Sequence, residues 1–247
     1  MDRQLTALLC RTSDRGPHAA AGTRELAELL GARIIGAPGE PRTASWEEDL
    51  RTSRGCLLEA GGQVDDALDA GLAPVLLAGD CSISVATLPV VVRHHPDVRV
   101  LWLDAHGDFN TPATTGSGYL GGMGLAGACG LWDTGFGAGL DPARVIMHGV
   151  RDVDGGERVA LDRCGVYRIE DAAPLEGMRL FVHLDLDVLD PDVFPASFPA
   201  PGGLSPAALH EFLAEVGDMA EIVGAEVTAA APGYSALVAD AIAPLLA

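Results

Sequence analysis

The sequence predicts an α/β fold: a single domain over residues 1–247, with a mostly parallel central sheet and helices on both faces. Three observations lead there. Apolar runs of strand length recur and are continuous, as in strands buried on both faces. Stretches with helical periodicity separate them. Three of the apolar runs end in acidic residues, and open α/β sheets bind their ligands beyond the carboxyl ends of the strands.

Taken in order, Leu5–Cys10 predicts a first strand and Thr23–Leu30 a helix stopped by Gly31. The polar, charged stretch Pro41–Ser53 predicts a loop, and Leu57–Ala70 a helix ending at Gly71. Pro74–Ala78 is a short buried strand leading into Asp80. Ser84–His95 has helical character, with Pro89 inside it demanding a kink or a later start. Val98–Asp104 is a strongly apolar strand, followed by the Gly- and Thr-rich stretch Asn110–Leu131, a long loop running into a short helix. Arg144–Val150, Leu180–Asp187 and Glu221–Val227 complete the strands. Pro206–Val216 is an amphipathic helix, with Ser205 as N-cap, Pro206 at the first position and Gly217 as the stop. No internal repeat or linker divides the chain.

Composition narrows the function classes. Of the 247 residues 48% are apolar, enough for a sizeable core. The net charge of −19 argues against nucleic acid, whose phosphates demand clustered Lys and Arg. The five cysteines form no CxxC pair and no compact disulfide framework. The N-terminal residues lack an apolar signal region, and no apolar run reaches membrane-span length. A reducing cytoplasm is the expected setting, with most cysteines acting as small buried hydrophobes.

The chemistry lies at the strand ends. Asp104, His106 and Asp108 follow one apolar strand, and Asp185 and Asp187 follow another. Alternate residues share a face while strand geometry lasts. Carboxylates converging at one sheet edge repel one another unless a counter-charge is present. A pair of divalent cations supplies it; oxygen and imidazole donors suit manganese, and also zinc or iron. Two such metals lower the pKa of a shared water and so suit a hydrolase. A lone Asp after a strand is more often a cap or turn residue, but two such runs on separate strands favour a metal site.

These residues resemble the arginase/agmatinase (ureohydrolase) family. Its Gly-Gly-Asp-His-Ser, Asp-Ala-His-x-Asp and Ser-x-Asp-x-Asp motifs correspond here to Ala78-Gly79-Asp80-Cys81-Ser82, Asp104-Ala105-His106-Gly107-Asp108 and His183-Leu184-Asp185-Leu186-Asp187. Leu189-Asp190-Pro191 is also similar, and the likeness runs from about Gly71 to Val227. The resemblance implies an arginase-like three-layer α/β/α fold and two Mn²⁺ per chain. One metal would be held by Cys81, Asp104, Asp108 and Asp185, the other by His106, Asp104, Asp185 and Asp187. Asp108 would serve as the proton acceptor and Glu226 would hold the guanidinium. Asn110, Thr115 and Ser117 match the donors that grip an α-carboxylate. Asp154, supported by Glu157, matches the acids that bind an α-amino group. A small guanidino amino acid is therefore the implied partner, with no nucleic acid, membrane or obligate protein partner. The C-terminal extension of the arginase trimer has no counterpart, which implies a monomer.

Two departures from the family pattern alter the expectation. Cys81 replaces a histidine ligand: either a thiolate ligand or a weakened first metal site results. Gly121 stands where arginases carry a shuttle histidine. Its loss should hurt hydrolysis of arginine, whose leaving amine needs a proton. An Nω-hydroxylated guanidine is less basic, and Gly121 leaves room beside it. The combination resembles the branch of the family serving D-cycloserine biosynthesis, an antibiotic pathway, which converts Nω-hydroxy-L-arginine to hydroxyurea and L-ornithine. An ordinary arginase and a catalytically silent amino-acid-binding protein are the alternatives. The segment Ala196-Ser197-Phe198-Pro199 is shorter than in arginases, and His183 replaces the family serine, as a proton carrier or a packed histidine.

Overall fold

The computed structural model describes residues 2–15, 18–40 and 43–247. Eight strands form one all-parallel sheet: β1 (Arg3–Leu8), β2 (Arg33–Ile35), β3 (Ala73–Leu77), β4 (Arg99–Leu103), β5 (Val145–His148), β6 (Tyr167–Arg168), β7 (Arg179–Asp185) and β8 (Glu221–Thr228). Their order across the sheet is β2-β1-β3-β8-β7-β4-β5-β6. The late strands β7 and β8 thus fill the gap between β3 and β4, and the centre of the sheet is built from four strands distant in sequence. β3 is buried along its whole length, and β4, β7 and β8 beyond their first residue. Their continuous apolar sequences are what such two-sided burial requires.

The helices cover both faces. α1 (His18–Leu30), α7 (Pro206–Met219), α8 (Ser235–Ala241) and α9 (Ala243–Leu246) pack together on one face, over a core that includes Leu26, Leu213 and Val238. On the other, α3 (Arg54–Asp69), α4 (Ser84–His94) and α5 (Gly124–Ala128) enclose Leu57, Leu88 and Leu125. α2 (Trp46–Thr52) precedes α3, and α6 (Gly155–Cys164) follows β5. No helix among the described residues is long and apolar enough to cross a membrane.

Several expectations need correction. The predicted loop Pro41–Ser53 contains α2 (Pro41 and Arg42 lie outside the described residues). The Ser45 side chain accepts the Glu48 N–H at 3.4 Å, and Glu47, Glu48 and Asp49 complement the positive helix start. Charge there marks a helix N-terminus. α7 runs through Gly217 to Met219. A mid-helix glycine costs about 1 kcal/mol, which packing along the helix overrides. α4 starts at Ser84 and carries Pro89 within it, leaving the Val85 carbonyl without its helical donor. β1 starts at Arg3 and ends at Leu8, so Cys10 lies beyond it. Cys10 forms a disulfide with Cys56 of α3, against the expectation of free thiols; the 46-residue separation hides the pair from sequence spacing.

Candidate active site

The carboxyl ends of β3, β7 and β4 open on a cavity of about 670 Å³, the size of a small-molecule site. Strand register sets its floor. Trp102 of β4, His183 of β7 and Glu226 of β8 are aligned in one row across the sheet. Same-face side chains recur every second residue. The next row toward the carboxyl ends therefore carries Asp104, Asp185 and Thr228, with Asp185 paired to Thr228.

Main-chain N–H groups hold the acids of this upper row. His106 N–H donates to Asp104 Oδ1 at 2.6 Å, Asp187 N–H to Asp185 Oδ1 at 2.8 Å, and Ala105 N–H to Asp187 Oδ1 at 3.0 Å. His106 Nδ1 lies 2.9 Å from Asp187 Oδ2. The Cys81 thiol donates to Asp185 Oδ2 at 2.9 Å and lies 4.0 Å from Asp104 Oδ2. Asp108 completes the floor with φ 45°, a left-handed conformation rare outside glycine. Ala229, at φ 62°, also borders the cavity.

The electrostatics show what this arrangement lacks. Burial, then the charges of Asp187 and Asp108, push the Asp104 carboxyl well above its usual range. Burial also raises Asp108, reinforced by Glu157 and Asp185 and opposed by His106. Burial and Asp187 bring Asp185 to about 6. Burial alone would raise Asp187, but the His106 hydrogen bond and charge hold it low. Burial would lower His106, yet hydrogen bonds to Asp104 and Asp187 bring it to about 12. Burial and the charges of Asp185, Asp108 and Asp104 push the Cys81 thiol up. Positive charge is in short supply. The donor atoms of Asp104, His106 and Asp187 lie within 4.8 Å of one another, and so do those of Cys81, Asp104 and His183. Two adjoining donor sets sharing one buried carboxylate fit a pair of divalent cations, whose charge would remove the mutual repulsion.

Glu226 departs from its expected position. It does not border the cavity. It is fully enclosed in the lower row, where Ser84 and Thr87 of α4 each donate to its carboxylate at 2.6 Å. His183 Nδ1 lies 2.7 Å from the same carboxylate, while its Nε2 faces Cys81 Sγ at 3.3 Å. The imidazole stacks on Trp102 at 3.5 Å between centroids. The reason is register: Thr228, two residues further along β8, reaches the floor beside Cys81 and Asp185, and Glu226 stands one row below. His183 thus connects the lower row to Cys81.

Asn110, Ser117, Asp154 and Glu157 line the wall, with Asn110 Nδ2 donating to Asp154 Oδ2 at 3.4 Å. Glu157 accepts the Phe109 N–H at 2.7 Å and the Asp154 N–H at 3.3 Å, so it serves as a brace as well. Burial, partly offset by these two N–H bonds, raises its carboxyl. Gly107 allows that approach: a Cβ there would lie 2.9 Å from the Glu157 carboxyl group. Thr115, expected as a substrate donor, does not line the cavity; its hydroxyl accepts the Gly118 N–H at 3.1 Å.

Asp14, Arg15 and Tyr119, which also line the cavity, carry little sequence signal. Asp80 fastens the loop after β1 to the site, accepting from Thr12 Oγ1, Ser13 N–H and Ser13 Oγ, each at 2.9 Å. That loop brings in Asp14, raised to about 7 by burial and then by Asp80, and Arg15, the one Arg or Lys lining the cavity among the described residues. The Arg15 guanidinium lies 5.2 Å from the centre of the Tyr119 ring, and Tyr119 packs against Phe198 with ring centroids 4.9 Å apart. An Arg soon after a first strand was the available hint; nothing local marked Tyr119.

The sequence profile of the arginase family matches residues 45–245. The N(omega)-hydroxy-L-arginine amidinohydrolase of Streptomyces lavendulae is 41% identical over 202 residues, covering 78% of this chain and 74% of that enzyme. Among solved structures, the arginase of Bacillus caldovelox superposes with a TM-score of 0.80 at 24% identity, covering 99% of this chain and 97% of its own. An Entamoeba histolytica arginase in complex with L-ornithine gives a TM-score of 0.82 at 20% identity, covering 99% of this chain and 98% of its own.

Proposed function

Because the chain belongs to the arginase family and is a hydrolase of carbon–nitrogen bonds in linear amidines, we propose that it splits Nω-hydroxy-L-arginine into hydroxyurea and L-ornithine. The observation that carries this reading is the cavity's joint presentation of an acid floor and an Asn110–Ser117–Asp154 wall, in a chain with glycine at position 121. A shared 41% identity with an enzyme named for that substrate supports it.

Asn110 and Ser117 hold the α-carboxylate, and Asp154, braced by Glu157, holds the α-ammonium. The loop carrying Thr115 keeps Ser117 in place. Cys81, Asp104, His106, Asp108, Asp185 and Asp187 would hold two Mn²⁺ ions, which would supply Lewis acidity and acidify water. Asp108 takes a proton from the attacking water and returns it to the nitrogen that becomes the δ-amine of ornithine. Its side chain is buried and its backbone left-handed at the cavity floor. Glu226 acts from the lower row by orienting His183 against Cys81 rather than by touching the guanidinium.

The test loads the chain with Mn²⁺, counts bound metal, and compares turnover of Nω-hydroxy-L-arginine and L-arginine with hydroxyurea, urea and ornithine quantified. The expected result is faster ornithine release from the hydroxylated substrate. Faster urea release from L-arginine would make the chain an ordinary arginase. Less than about one metal per chain would make it a silent binding protein.

A further inference from the structure

We propose that Tyr119 is a specificity-determining residue of the cavity, its ring filling the space that a side chain at position 121 would occupy; this rests on the functional reading above. A Cβ placed on Gly121 would lie 2.4 Å from Tyr119 Cε1, 2.7 Å from Cζ and 2.9 Å from Oη. Atoms that close must move apart, and an aromatic ring yields only by rotating as a unit. Two neighbours oppose that rotation. The Arg15 guanidinium lies 5.2 Å from the ring centre, and the Phe198 ring centroid is 4.9 Å away.

The position of the ring gives it a function. Tyr119 and Phe198 both line the cavity. Gly122, next to Gly121, presents its Cβ direction 3.9 Å from Asp108 Oδ1. Tyr119 shares the cavity lining with Cys81 and Asp108, so its ring borders the acid end, where a guanidino group must react. Gly121 is more than a missing side chain: it seats the tyrosine, and the tyrosine bounds the space around the reacting nitrogen. Positions 119 and 121 form one unit, and neither can be altered alone without changing the shape of that end.

A double-mutant cycle tests the unit, using Mn²⁺-loaded Gly121→Ala, Tyr119→Ala and the double variant. The readouts are kcat and KM for Nω-hydroxy-L-arginine and L-arginine, and the rate at which tetranitromethane nitrates Tyr119 without substrate. Gly121→Ala is expected to lower kcat/KM for the hydroxylated substrate at least about tenfold, chiefly through KM, because the ring is displaced at the reacting end. It should also speed nitration of Tyr119. The double variant should be no worse than Tyr119→Ala, the non-additivity that contacting residues show. Tyr119→Ala should weaken the preference for the hydroxylated substrate over arginine, and Tyr119→Phe, which keeps the ring, should regain most of that loss. The proposal is overturned by a Gly121→Ala protein within about twofold of the parent with unchanged nitration, or by effects that simply multiply. It is equally overturned if Tyr119→Phe falls as far as Tyr119→Ala. A parent chain inactive on both guanidino amino acids overturns the functional reading instead, and the nitration rates still decide whether Gly121 seats the ring.

Discussion

At the floor of the cavity, Asp104, Asp185 and Asp187 are each tied to a main-chain N–H and are no more than 6% exposed. On the wall, Ser117 and Asp154 are exposed, on a loop and at a helix start, and Asn110 reaches Asp154 through one long hydrogen bond of 3.4 Å. The floor is therefore rigid and electrostatically unsatisfied, because the strand pleat forces like charges together. The wall is compliant and already has its hydrogen-bond partners. A rigid, charge-frustrated floor suits cations and chemistry; a loop-built wall suits discrimination among substrates.

The sharpest attempt to break this contrast is at the floor. Asp185→Asn or Asp108→Asn should abolish turnover; full activity in either, measured as ornithine release, would remove these residues from the chemistry. One row below, Glu226→Ala should mainly cost stability. It leaves His183, Ser84 and Thr87 facing a vacated buried site, with an expected loss of about 3–5 kcal/mol in denaturant unfolding. The near-isosteric Glu226→Gln sharpens the point. If it keeps the melting temperature yet abolishes turnover, Glu226 belongs with the reacting groups after all.

On the wall the expected effect is smaller. Asp154→Ala removes one charged hydrogen bond to substrate, about 1.5–3 kcal/mol, and should raise KM roughly 10- to 100-fold with little change in kcat. Loss of kcat at constant KM would move Asp154 from holding the substrate to the reaction itself. Proton linkage gives the mildest test. Asp185 and Asp14 have folded-state values raised to about 6 and about 7, from an ordinary 3.8. Such groups ionise freely in the unfolded chain but at a cost in the folded one. Metal-free protein should thus lose stability as pH rises from about 4 to about 7, and nothing from these groups below that window. Metal loading should flatten the melting-temperature profile on the floor side. A metal-free profile rising across this interval would contradict the picture of a repulsive floor.

How far the site could be read in advance follows the same division. Asp104, His106, Asp108, Asp185 and Asp187 stand out because an apolar run ending in acids is conspicuous, and because a strand repeats its side chains every two residues. The parallel sheet was readable for the same reason: continuous Val- and Leu-rich runs suit only strands buried on both faces. The edge strands β2 and β6, of three and two residues, were too short to show any period. α2 was hidden by its charges, which signal a loop only until Ser45 is seen to cap it.

By itself the sequence determined the donor types, the strands that carry them, and the glycine at 121. Only the tertiary structure decided which donors meet. The parallel register puts Thr228 on the floor and Glu226 beneath it, although the sequence pattern favours the glutamate as the substrate contact. Long-range packing brings Arg15, more than 100 residues away, against Tyr119, whose ring lies over Gly121. The physical reason is range. Side-chain alternation along a strand is a local consequence of backbone geometry, whereas register between strands and the seating of a loop ring depend on contacts that exist only once distant segments have packed.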